Sequence, residues 1–266
     1  MNFVGLERKF QSVGARLKLN RLARGAFRID VRDDGRGECF DIGVDDRSVL
    51  DIQALDVRPT ERHLLLMAKT RDQSGVIHKD KFLCGHDERH WFVAAVPEVR
   101  GVSSVRAAME TLKPTIVRME QDRQRVKHRR RNRRRNAAFV RQGEWFFIPC
   151  PDLEVNLKWV LKSEPLRRGA GKPHWCELLY RRGGETVCVS REYPNGVTPA
   201  EYRKLVQSDP SKLHLRWNTM VRNPEVYVKG RISHADHKTV VLRCWHRVQM
   251  NTETQSRAMR HVAFLD

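Results

Sequence analysis

The sequence predicts an α+β chain: two mainly-β units with short helices, joined by a helical, arginine-rich segment. Three observations lead there. Both halves carry short runs in which apolar and polar residues alternate, the pattern of half-buried strands. Turn residues separate these runs at hairpin spacing. Between the halves, residues 123–136 read RQRVKHRRRNRRRN, with eight arginines, one lysine and no acid. No alternation of strand with long helix suggests a doubly wound parallel sheet. The expected boundaries are 1–100 for a mainly-β domain, 101–142 for helix and basic linker, and 143–266 for an α+β domain.

Phe27, Ile29 and Val31 alternate with charged residues as a first strand, turned by Asp33, Asp34 and Gly35. Residues 39–44 read as a second. Leu50, Ile52 and Ala54 alternate in one phase, Leu55 and Val57 in the other, and a β-bulge near Ala54 reconciles them. Residues 64–68 are continuously apolar, as in a strand buried on both faces. Residues 82–84 and 90–96 flank a hairpin loop, and Pro97 closes the unit. Ser103 or Ser104 caps a helix in which Val105, Ala108, Met109 and Leu112 recur at helical spacing, and Pro114 breaks or restarts it.

In the second half, residues 145–148 start the unit. Val155, Leu157, Trp159 and Leu161 alternate as a strand, and residues 174–180 and 186–190 flank a turn at Gly183 and Gly184. Thr198, Pro199 and Glu201 have capping-box spacing with proline at the first helical position. Asp209 and Pro210 start a further helix carrying Leu213, Trp217, Met220 and Val221 on one face. Residues 226–233 and 239–250 form the last hairpin.

Charge is distributed unevenly. The chain has 266 residues and a net charge of +19. Residues 1–100 are close to neutral at +2, while 101–150 carry +9 and 151–266 carry +8. Such a field raises on-rate and affinity for polyanions. Cys39, Cys84, Cys150, Cys176, Cys188 and Cys244 are scattered with no C-x-x-C pair, which fits a reducing, cytoplasmic setting better than a disulfide framework. The N-terminus has no apolar core of signal-peptide length, and no apolar run approaches the ~20 residues of a membrane span. No cofactor is implied, no membrane partner is expected, and the oligomeric state is open.

The basic block carries the functional expectation. Guanidinium groups at this density resist burial, because each unpaired ion taken out of water costs several kcal/mol. Arginine's planar fork also matches phosphate oxygens two at a time. Arg123, Arg125, Lys127, Arg129, Arg130, Arg131, Arg133, Arg134 and Arg135 are therefore candidate nucleic-acid contacts. The block resembles arginine-rich RNA-binding segments in composition over its fourteen residues. With no apolar stripe, it is expected to be disordered or a helix extended into solvent.

Further cations join the list. The glycine-rich turn at 167–172 lacks the spacing and the Ser or Thr of a P-loop. It leaves Arg167, Arg168 and Lys172 as phosphate contacts. On the last strand Trp245 shares a face with Arg243 and Arg247, a stacking platform for single strands if exposed, a covered tryptophan if not.

Two hairpin loops offer histidine and aspartate: His86 and Asp87, with Cys84 expected to face His90, and His234, Asp236 and His237. They are the candidates for metal-assisted or acid–base catalysis. Neither supplies four ligands by itself, so no metal is expected. His246 falls on the apolar face of its strand as a core histidine. The leading expectation is an intracellular nucleic-acid-binding protein, DNA or RNA. The alternatives are a nuclease-like metal-dependent hydrolase using the histidine loops, and an interaction scaffold for an acidic partner.

Overall fold

The computed structural model describes residues 3–23, 27–169 and 171–262, and the chain is α+β. Helix α1 (Phe3–Ser12) comes first. Strands β1 (Leu17–Arg21), β2 (Phe27–Asp33) and β3 (Glu38–Val44) form a sheet in the order β1-β3-β2, with β1 parallel to β3. Strands β4 (Val49–Arg58), β5 (His63–Arg71), β6 (Ile77–Asp87) and β7 (His90–Val96) form an antiparallel meander. The two sheets close on one apolar core of Phe10, Phe27, Ile29, Phe40, Ile42, Leu64, Leu66 and Phe82.

The continuous apolar run on β5 is explained by burial on both sides. Leu64 and Leu66 face that core, while Leu65 faces helix α2 (Val105–Thr111) through Val105, Ala108 and Leu112. Strand β4 shifts register between Ala54 and Asp56, at the expected bulge. Ser104 caps α2 by accepting from the amide of Ala107. Pro114 then opens helix α3 (Thr115–Arg123).

Strands β8 (Val140–Gln142) and β9 (Trp145–Pro149) begin the second sheet system. Strands β10 (Leu161–Leu166), β11 (His174–Arg182), β14 (Glu225–Ser233) and β15 (Val240–Met250) complete a six-stranded antiparallel sheet ordered β10-β11-β14-β15-β9-β8. Between β11 and β14 the chain makes an excursion through β12 (Glu185–Val189), α4 (Pro199–Ser208) and β13 (Asn218–Arg222), with β12 and β13 paired in their own ribbon. The capping box at the start of α4 is complete, with Thr198 and Glu201 bonding each other's backbone. One face of the six-stranded sheet holds Phe147, Leu179, Val228, Leu242 and Val248. On the other face Phe146 and Ile148 of β9 pack against Val117 of α3.

Several expectations give way to local chemistry. The hairpin at 84–90 needs only Glu88 and Arg89 at its tip, with Glu88 at φ 53°, so Cys84 opposes Val93 and not His90. The alternating run at 155–161 is not a strand: Asn156 caps a 3-10 turn over Leu157–Trp159, and Leu157 and Trp159 stand in solvent. Strand β11 pairs with β14 and not with β12. Asp209 caps only a short 3-10 turn, Pro210–His214, and Met220 and Val221 lie exposed on β13.

The last described residues return to the first core. After β15, 3-10 turns at Glu253–Gln255 and Arg257–His261 lay Ala258 in the core between the first two sheets. The Ser256 hydroxyl donates to the carbonyl of Val96 at 2.9 Å. The unit expected over 143–266 thus sends its last described residues into its neighbour. The six cysteines are free thiols. Among the described residues no helix is long and apolar enough to cross a membrane.

Candidate nucleic-acid interface

The basic segment is neither an extended helix nor undocked. Helix α3 stops at Arg123, and Arg125 reverses the chain at φ 48°. One 3-10 turn, His128–Arg130, follows, and turns lead to a bridge between Arg135 and Val140. Val126 packs beside the Val117–Phe146 core. The arginine-rich stretch leaves the helix because its backbone has a better partner. The Arg131 carbonyl accepts from the Lys113 ammonium at 2.9 Å and from the Gln121 amide at 2.7 Å.

Lys113 is a buried cation with a complete set of partners. Its three donors reach Glu110 Oε1 at 2.7 Å, Gln121 Oε1 at 3.2 Å and the Arg131 carbonyl. Burial nevertheless outweighs the favourable Glu110 contact and lowers its pKa to about 8.

This anchoring divides the arginines. Arg131 pairs with Asp122 at 2.6 Å and Arg123 with Glu120 at 2.7 Å. Arg134 forms ion pairs with Asp87 and Glu88 at the β6–β7 tip, binding the segment to the first sheet system. Arg125, Lys127, Arg129, Arg130, Arg133 and Arg135 are exposed, and among the described residues no carboxylate pairs with any of them. Arg106 of α2 adds to this surface, its guanidinium 3.1 Å from the ring of His128. Sequence reasoning missed it, because a single arginine on a short helix carries no signal.

The other expected contacts fare differently. Arg167 is exposed, but Arg168 pairs with Glu253 and its side chain is only 9% exposed. Lys172 is held by Asp236 at 2.8 Å. Ala170, inside that glycine-rich turn, lies outside the described residues. Trp245 is no open platform: it is buried, 6.3 Å from the Tyr180 ring, and Arg247 is paired with Glu225 at 2.7 Å. Arg243 alone of that trio is exposed. His246 is buried on the apolar face, with Nδ1 2.8 Å from the Cys244 carbonyl.

The histidine loops meet other partners. His86 lies edge-on to Trp91, and Asp87 serves Arg134 and Arg141. His234 and His237 stack on each other at 4.7 Å and both stack on His174, the first residue of β11. Asp236 turns away to Lys172. His174 is 2% exposed, and neither of its ring nitrogens has a hydrogen-bond partner among the described residues. Burial, and then the facing imidazoles, pushes His174 down to about 3; burial first also brings His237 to about 4, so both rings are neutral near pH 7. His174 escaped sequence reasoning because sixty residues separate it from His234, and only strand pairing brings them together.

A cavity of about 550 Å³ opens beside this cluster. Asp87, His90, Arg141, Gly143, Lys172 and His237 are among the residues lining it. No protein family, curated protein or solved structure matches the chain.

Proposed function

We propose that this protein binds nucleic acid through the arginine surface at 125–135. In this reading two folded units, each with its own core, hold the segment between them, and the phosphate backbone is the ligand. What supports the reading above all is that six cations stand exposed, with no carboxylate partner among the described residues, on a segment pinned from behind. Guanidinium groups held in place lose less entropy on pairing with phosphate than those on a mobile tail. The ion pairs of Arg123, Arg131 and Arg134 use up the cations that a merely solvated linker would have left in water. Contacts of this kind fix a protein on the backbone and carry no base information, so binding is expected to be broad in sequence.

Fluorescence anisotropy with labelled single- and double-stranded DNA and RNA of random sequence tests this, with poly-glutamate as competitor. Oligonucleotides are expected to bind and poly-glutamate to compete poorly. Equal competition at equal charge would favour the scaffold for an acidic partner instead.

A further inference from the structure

We propose that His174, His234 and His237 form a mononuclear site for a divalent transition-metal ion of the zinc class, with one coordination position open to the neighbouring cavity. One ring nitrogen from each residue lies within 4.8 Å of the other two. A shared ion asks for spacings somewhat shorter, within reach of small χ rotations by the half-buried His234 and His237.

The strongest observation is what these rings lack. Among the described residues, both nitrogens of buried His174 and Nδ1 of His237 have no partner. Leaving a buried polar atom unsatisfied costs about 1–3 kcal/mol, and an ion at the centre of the cluster would take the one lone pair of His174, the ring's other nitrogen keeping its proton, and that of His237. His234 differs, because both of its ring nitrogens have partners. Its Nε2 lies 3.3 Å from the Lys172 carbonyl, and its Nδ1 accepts from the Asp236 amide at 3.1 Å. The tautomer satisfying both contacts protonates Nε2 and uses the single Nδ1 lone pair on the Asp236 amide, so an ion bound at Nδ1 would replace that hydrogen bond while the Lys172 carbonyl steadies the ring.

Gly143 keeps the approach clear. A Cβ there would stand 2.8 Å from His237 Nε2 and 3.6 Å from His174 Nε2, and the backbone is at φ +57°. Gly143 also lines the cavity, as do His234 and His237. Three imidazoles with no oxygen ligand exclude the preferences of Mg²⁺ and Ca²⁺ and suit zinc and its neighbours. Three protein ligands with a fourth position free is the pattern of sites that exchange water or substrate. This site does not depend on the nucleic-acid reading and stands or falls separately from it.

The test is calorimetric titration of tag-free, chelator-stripped full chain with Zn²⁺, with elemental analysis after gel filtration. Wild type is expected to retain one Zn²⁺ per chain, and Co²⁺ in its place to give the visible absorption of a low-coordinate nitrogen site. His234→Ala and His237→Ala, whose rings are half-buried, are expected to weaken Zn²⁺ binding by at least about 100-fold, beyond the 10–100-fold typical of outer-shell partners. His90→Ala, on the same cavity but outside the cluster, is expected to bind as wild type does. Folding of each variant is checked by circular dichroism. No Zn²⁺ binding by folded wild type, or undiminished binding in both cluster variants, would overturn the proposal.

Discussion

The ammonium of Lys113 donates to the main-chain carbonyl of Arg131 at 2.9 Å, fixing the middle of the basic segment to the end of α2. That carbonyl also accepts from Gln121 at 2.7 Å and from Asn136 at 3.5 Å. Lys113→Met removes the ammonium and leaves the Gln121 side-chain oxygen without its partner. The expected result is faster tryptic cleavage within residues 123–135 than in wild type, read by mass spectrometry of early fragments.

The same lysine sets a pH dependence with a definite sign. Its pKa is about 8 in the folded chain against an ordinary 10.5. Between those values the unfolded chain binds more protons at this residue, so its contribution to stability rises with pH. Below about pH 8 both states are charged, and the folded one bears the burial penalty. The unfolding free energy of wild type minus that of Lys113→Met should therefore grow by up to about 3 kcal/mol from pH 8 to 10.5. Urea titrations across that range measure it, and a difference that shrinks with pH would refute it.

Arg133 and Arg134 are neighbours with separate roles. Arg134 ties the segment to Asp87 and Glu88, while Arg133 is exposed and unpaired among the described residues. Arg134→Gln is expected to lower stability by about 1–2 kcal/mol, short of the 3–5 of a fully buried pair because the arginine side chain is 36% exposed. Arg133→Gln is expected to stay within about 0.5 kcal/mol of wild type and to weaken oligonucleotide binding. Denaturant melts and anisotropy on the two variants separate the roles.

Asp80 clasps the 3-10 turn Arg257–His261. Its fully buried carboxylate meets Arg257 at 2.9 Å and the ring of His261 at 3.1 Å, and His261 bonds the Phe27 carbonyl. Burial raises its pKa, but the hydrogen bonds from His261 and Arg257 outweigh that and hold it below the ordinary 3.8. The stability it contributes is thus present above pH 3.8 and lost as pH falls through the folded value. Asp80→Asn should destabilise by about 3 kcal/mol and expose Arg257 and Arg260 to trypsin.

What was legible in the sequence followed period and local caps. The double-faced burial of β5, the bulge near Ala54, the Ser104 cap, the Thr198–Glu201 box and the core placement of His246 all rest on residues a few positions apart. Long-range pairing was not legible. The excursion through β12 and β13 hides the β11–β14 partnership, and with it the meeting of His174 with His234 and His237. The buried lysine that anchors the basic segment gave no signal either, since in sequence Lys113 resembles any solvated lysine before a proline. Alternation misled at 155–161 because Asn156 offers the backbone a side-chain acceptor that favours a turn.

The salt dependence of binding to duplex DNA tests most directly whether the six exposed cations meet phosphates. Each phosphate contact releases about 0.9 counterions, so six contacts give a log–log slope of about −5. Replacing Arg125, Lys127, Arg129, Arg130, Arg133 and Arg135 together with glutamine should flatten that slope towards zero and weaken all sequences alike. A wild-type slope near zero, or an undiminished slope in the six-fold variant, would contradict nucleic-acid binding by this surface.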